Sequence, residues 1–127
     1  MADISAAFAG LGVPCGSIQT GQPPGIGQFT CSGIVHGVKV LAVFDVSSQN
    51  ISRIALSASR SGGNAGAVTA LQALIKSLAD VLNSHLADFA GQISNWPQDE
   101  TILRASDGTQ ALTALLDHSL VLTIIPE

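Results

Sequence analysis

Tyrosine is absent from this 127-residue sequence, and tryptophan and methionine occur once each. Aromatic residues total 4% and charged residues 11%, where an ordinary soluble domain has about 25% charged residues. Apolar residues still reach 46%. Small aliphatic side chains therefore carry the hydrophobicity, and Ser, Thr, Asn and Gln carry much of the surface. A surface so poor in charge repels its own copies weakly.

Other absences exclude whole classes of function. No run of about 18 apolar residues occurs, so no transmembrane helix or membrane insertion is expected. The five basic residues, Lys39, Arg53, Arg60, Lys76 and Arg104, do not cluster. Phosphate recognition draws on basic patches, so nucleic acid is not an expected partner. The basic amphipathic pattern of a membrane-surface helix is also missing. Without Cys-x-x-Cys or His-x-x-x-His there is no compact metal-binding pair, and no metal or cofactor is expected. The nucleophile-elbow pattern Gly-x-Ser-x-Gly is missing as well. Residues 1–11 lack the basic start and continuous apolar core of a signal peptide.

The clearest pattern present is a stripe of Val68, Leu71, Ile75, Leu78, Leu82 and Phe89 at three- and four-residue steps. It predicts one amphipathic helix over residues 65–89, roughly 37 Å long, with Leu71, Ile75, Leu78 and Leu82 buried. His85 falls on the same stripe, as a hydrogen-bonded residue at the edge of the core. Gly91 is the expected stop.

Before the helix, residues 28–35, 38–46 and 51–59 alternate as three strands joined by short turns, an antiparallel meander. A short helix over residues 1–11 is capped by Asp3 and ended by Gly12 and Pro14. Residues 15–27 read as a Gly/Pro-rich loop. Residues 101–106 and 120–125 read as further strands. Residues 109–116 stay open between helix, favoured by Ala and Leu, and strand, favoured by the Asp107-Gly108 turn. The expectation is a single α+β domain over residues 1–127. An antiparallel sheet of four to five strands is covered on one face by the long helix.

The turn Arg60-Ser61-Gly62-Gly63-Asn64-Ala65-Gly66 is the sharpest chemical signal. Arg60, Gly62, Gly63, Asn64 and Gly66 form a candidate anion or ligand site, because glycines let backbone N–H groups face an anion at a helix start. Arg60, Gly63 and Ala65 resemble the acyl-CoA pyrophosphate loop of GNAT-type acetyltransferases, Arg/Gln-x-x-Gly-x-Gly/Ala. That resemblance implies acyl transfer from acyl-CoA. The competing reading is a turn that Gly62 and Gly63 permit and Asn64 caps. The order of helix, three antiparallel strands, long helix and further strands also resembles type III secretion chaperones, which implies a small, often dimeric binding domain.

No set of side chains assembles into acid–base or nucleophilic machinery. The expected function is a non-catalytic binding or interaction module for a protein or an apolar ligand. The alternatives are an acyl-CoA-dependent transferase and a structural subunit of a larger assembly. A homodimer is expected, formed by edge pairing of the third or last strand or by burying an uncovered sheet face. A Cys15–Cys31 disulfide is expected to tie the glycine-rich segment to the first strand, and with it an extracytoplasmic location. Asn50-Ile51-Ser52 also fits a glycosylation sequon.

Overall fold

A computed structural model describes residues 2–16, 19–20, 26–47, 50–60, 63–82, 84–95, 102–115 and 118–125. Within them the chain is α+β, with one wholly antiparallel sheet. Its strands are β1 (Gln19–Thr20), β2 (Ile26–Val35), β3 (Val38–Ser47), β4 (Asn50–Ser59), β5 (Ile102–Arg104), β6 (Gln110–Leu115) and β7 (Ser119–Ile125). The order across the sheet is β1-β2-β3-β4-β7-β6-β5. The meander predicted from alternation is present. The total exceeds the expected four to five because residues 110–115 are a strand and because residues 19–20 of the predicted loop pair with β2. Strand wins at 110–115 because β7 supplies a full register of partners, Gln110↔Ile125 to Leu115↔Leu120. That pairing outweighs the local helix preference of Ala and Leu. Among the described residues no helix is long and apolar enough to cross a membrane.

Each long strand turns alternate residues inward. Phe29, Cys31 and Val35 of β2, Val40, Ala42 and Phe44 of β3, Ile54, Leu56 and Ala58 of β4, and Leu120, Leu122 and Ile124 of β7 are all buried. Phe29 stacks on Phe44 at 4.5 Å, and Phe8 meets Phe44 at 5.9 Å. His36 and Gly37 join β2 to β3 with φ of 51° and 78°, the paired positive values of a type I′ hairpin.

Helix α1 (Ala2–Gly10) buries Ile4 and Phe8. It closes as the sequence predicts, on Gly12 at φ 84°. Gly12 N–H donates to the Ala9 carbonyl and Val13 N–H to the Phe8 carbonyl, the two bonds of a Schellman motif. The chain then runs back along the outer edge of β2. Ser32 N–H donates to the Pro14 carbonyl, Gly16 N–H donates to the Thr30 carbonyl, and Cys15 opposes Cys31.

Cys15 and Cys31 form the expected disulfide, at a sequence separation of 16. It clips the segment after α1 to β2. For a loop of that size the chain-entropy estimate is about 3 kcal/mol. Reduction is expected to lower unfolding stability by about that amount, seen as a shifted denaturant midpoint with and without reductant. Unchanged midpoints would show that the clip constrains nothing.

The predicted 25-residue helix is not continuous. Helix α2 spans Asn64–Val81, and Leu82 is its C-cap, with its N–H donating to the Leu78 carbonyl. A 3₁₀ turn (Ser84–Leu86) and α3 (Ala87–Gln92) follow, so Gly91 lies within α3 rather than stopping the long helix. Leu71, Ile75 and Leu78 are buried as expected, but Leu82 is exposed. Leu86, Phe89, Ala90 and Ile93 keep their burial because the chain bends and α3 packs against both α2 and β5. Gln72 Nε2 donates to the Ala90 carbonyl at 2.7 Å, and Gln92 Nε2 to the Arg104 carbonyl at 2.8 Å. The apolar period thus passes through two helices at different angles, a change that periodicity alone does not register.

Candidate functional site

The glycine-rich turn does link β4 to α2. Arg60 is half-buried, its N–H donates to the His118 carbonyl at 3.0 Å, and its own carbonyl accepts from Gly63 N–H at 2.9 Å. Gly63, at φ 104°, is the N-cap. Asn64 is therefore the first helical residue and not the cap, a correction that follows from the extended φ/ψ freedom only glycine has at that position. Gly66 packs into the first turn of α2, near the Val38 side chain. Gly62 lies outside the described residues, as do Trp96, Asp99 and Glu100.

The histidines do not converge. His36 occupies the β2–β3 turn, and His118 precedes β7. Cys31 is held in the disulfide, so it offers no thiolate to His36. Among the described residues no group of three or more His, Cys, Asp or Glu side chains is placed to hold a metal.

One polar cluster was not legible in the sequence. Ser106, in the β5–β6 turn, meets His85 and Asp88 from the helical segment. Ser106 Oγ lies 2.6 Å from His85 Nδ1 and donates to Asp88 Oδ2 at 3.0 Å. Ser106 N–H donates to the same oxygen at 2.9 Å. The residue types are those of a hydrolytic triad, but the connectivity is not. In a triad, imidazole accepts the serine proton and donates to the carboxylate. Here the hydroxyl gives its one proton to Asp88, so the proton between Ser106 and His85 must come from Nδ1. The serine is held as a clamp between elements, 18 and 21 residues from its partners.

The Ser106 backbone N–H and, next, its hydroxyl hold the Asp88 carboxyl below the ordinary aspartate range. Partial burial opposes them and His85 adds to them. A group depressed on folding contributes stability above its unfolded value and loses it as pH falls through its folded value. Ser106→Ala removes the smaller of the two bonds. The Asp88 midpoint, followed by carboxyl-carbon NMR against pH, is expected to move upward yet stay below the ordinary range. An unmoved midpoint would show that the hydroxyl does not hold the carboxylate.

The largest feature is the other face of the sheet. The helices pack against one side only, through α2 on β3, β4 and β7 and α3 on β5. Of the six large hydrophobic side chains that stand well exposed among the described residues, five point from the uncovered side. Ile34, Leu41, Ile102, Leu112 and Ile125 are between 40% and 57% exposed, and Leu82 is the sixth. The register sets these positions in rows. One row runs Thr30, Val43, Ala55, Thr123, Leu112 and Ile102 across six strands. The next runs Ser32, Leu41, Ser57, Val121 and Ala114. Neither row contains a charge. Beyond the second row lie Ile34 and Lys39, and beyond the first lie Gln28, Asp45 and Arg53. Asp45 accepts from Gln28 Nε2 at 2.9 Å and from Arg53 Nε at 2.7 Å.

The edges are less available than the face. Residues 14–16 and β1 cover β2, while β5 is a three-residue strand carrying Arg104. The third and last strands of the sequence reading, now β4 and β7, pair with each other inside the sheet, so neither can dimerise through an edge. Compared with protein-family models, curated proteins and solved structures, the chain shows no match.

Proposed function

We propose that this chain is a non-catalytic interaction module that docks a protein through the open face of its sheet. A single observation carries the reading: among the described residues, five of the six exposed large apolar side chains share that face, astride two uncharged rows. Exposed apolar side chains gathered on one face in this way mark interaction sites on soluble domains. A structural subunit of a larger assembly would use the same surface. The Cys15–Cys31 disulfide supports an extracytoplasmic setting, where such bonds persist.

The test is site-specific photo-crosslinking with benzophenone side chains. Probes at Leu112 on the open face, and at Lys76, exposed on α2, are compared in the full chain. Adducts from position 112 and not from 76 are expected. No adduct from 112, or equal adducts from both, overturns the reading.

A second reading, acyl transfer at the 60–66 turn, is favoured by the direct passage from β4 through Gly63 into α2. Calorimetry with acetyl-CoA separates the two. Micromolar binding abolished by Arg60→Ala would install the transferase in place of the docking module.

A further inference from the structure

We infer that the occupant of the open face is a second copy of this chain, stacked face to face about a two-fold axis that runs across the strands. The inference rests on the docking reading above and names its partner.

Register supplies the first argument. An axis lying between the two uncharged rows exchanges them, so Leu41 of one copy covers Val43 of the other. The same operation carries the row holding Lys39 onto the row holding Asp45. Both residues lie on β3, one row outside the uncharged pair on opposite sides, so each lysine falls over the other copy's aspartate. Two such contacts form per dimer, as an isologous interface requires. Gln28 and Arg53 leave the Asp45 carboxylate further acceptor capacity, since its two oxygens offer about four lone-pair sites. A two-fold parallel to the strands and centred on β4, the middle strand of the sheet, sets Arg53 over Arg53 and Asp45 over the apolar Ile125. That arrangement opposes like charges and desolvates a carboxylate.

Size is the second argument. The six strands that the rows cross, at a spacing of about 4.8 Å, span roughly 24 Å, and the four rows run about 20 Å along them, on the order of 500 Å² of flat surface per copy. Side-chain relief raises the accessible area toward the roughly 800 Å² per partner of a standard interface. Sheets stacked in this way pack about 10 Å apart, the spacing of a sandwich core. Edge addition, the competing route to self-association, is obstructed by residues 14–16 on β2 and by the brevity of β5.

Sedimentation equilibrium of the full chain, from micromolar to submillimolar concentration, reads the outcome. A species of twice the 12.9 kDa chain mass is expected. Lys39→Asp, which sets a carboxylate over the partner's Asp45 at both contacts, and Leu41→Lys should each weaken dimerisation at least roughly tenfold. Leu82→Lys, exposed but away from this face, should leave it unchanged. Circular dichroism confirms that each variant is folded. A single 12.9 kDa species throughout overturns the inference, and so does a dimer indifferent to both face variants. A monomer that still gives heterologous photo-adducts from position 112 removes the second copy but leaves the docking module standing. The loss of every adduct removes both.

Discussion

Gly33→Ala is expected to destabilise the protein by more than about 3 kcal/mol, beyond the usual cost of an overpacked core position. Gly33 lies on the inward side of β2, between the buried Cys31 and Val35. It is bare because the chain leaving α1 crosses directly over it. A Cβ placed there falls 2.8 Å from the Val13 Cα, 3.1 Å from the Gly12 carbonyl carbon, and closer still to the Gly12 carbonyl oxygen. These are backbone atoms, fixed by the Schellman closure of α1 on one side and by the Ser32–Pro14 hydrogen bond on the other. They cannot turn aside as the end of a long side chain can. The substitution must lift the linker off the sheet, which also pulls on the Cys15–Cys31 clip. Gly91→Ala is the matched control. Nothing lies within 4 Å of its Cβ position, and inside α3 alanine should gain roughly 0.5–1 kcal/mol. Urea denaturation of the two variants should give shifts of opposite sign. A Gly33→Ala midpoint within about 1 kcal/mol of the parent would mean that the linker does not cross β2 there.

Leu78→Ala is expected to cost about 2–5 kcal/mol, the range of large-to-small changes in cores. Leu78 is fully buried in the last turns of α2, and its carbonyl also accepts the closing bond of that helix. The cavity would open between α2 and the sheet, where Leu71, Leu74 and Ile75 share full burial and leave little slack for collapse. Lys76→Ala, exposed on the same helix, should stay within about 0.5 kcal/mol of neutral. Leu82→Ala should also be mild, because Leu82 lies outside the core despite continuing the same stripe. Equal losses from Leu78→Ala and Leu82→Ala in chemical denaturation would contradict the bend after Val81.

The sequence by itself determined the local elements. Period-two alternation placed β2, β3 and β4 to within a few residues, because a strand with one buried face must alternate. Gly12 ended α1 because only glycine closes a helix readily at positive φ. The disulfide followed from two cysteines bounding a segment with little apolar content of its own.

Tertiary structure decided the rest, through contacts that no local pattern encodes. Residues 110–115 became a strand because β7 offered a register of partners. The stripe of residues 68–89 divided because α3 had to reach β5, and a three- to four-residue period reads the same on one helix or two. Ser106, His85 and Asp88 met across 18 to 21 residues of chain, with no spacing to announce them. The open face stayed hidden for the same reason. Ile34, Leu41, Leu112 and Ile102 belong to four separate strands, each showing only a mild departure from apolar-in, polar-out. Only the order β1-β2-β3-β4-β7-β6-β5 lines those departures into one surface, because row membership is a property of pairing between strands and not of any strand alone.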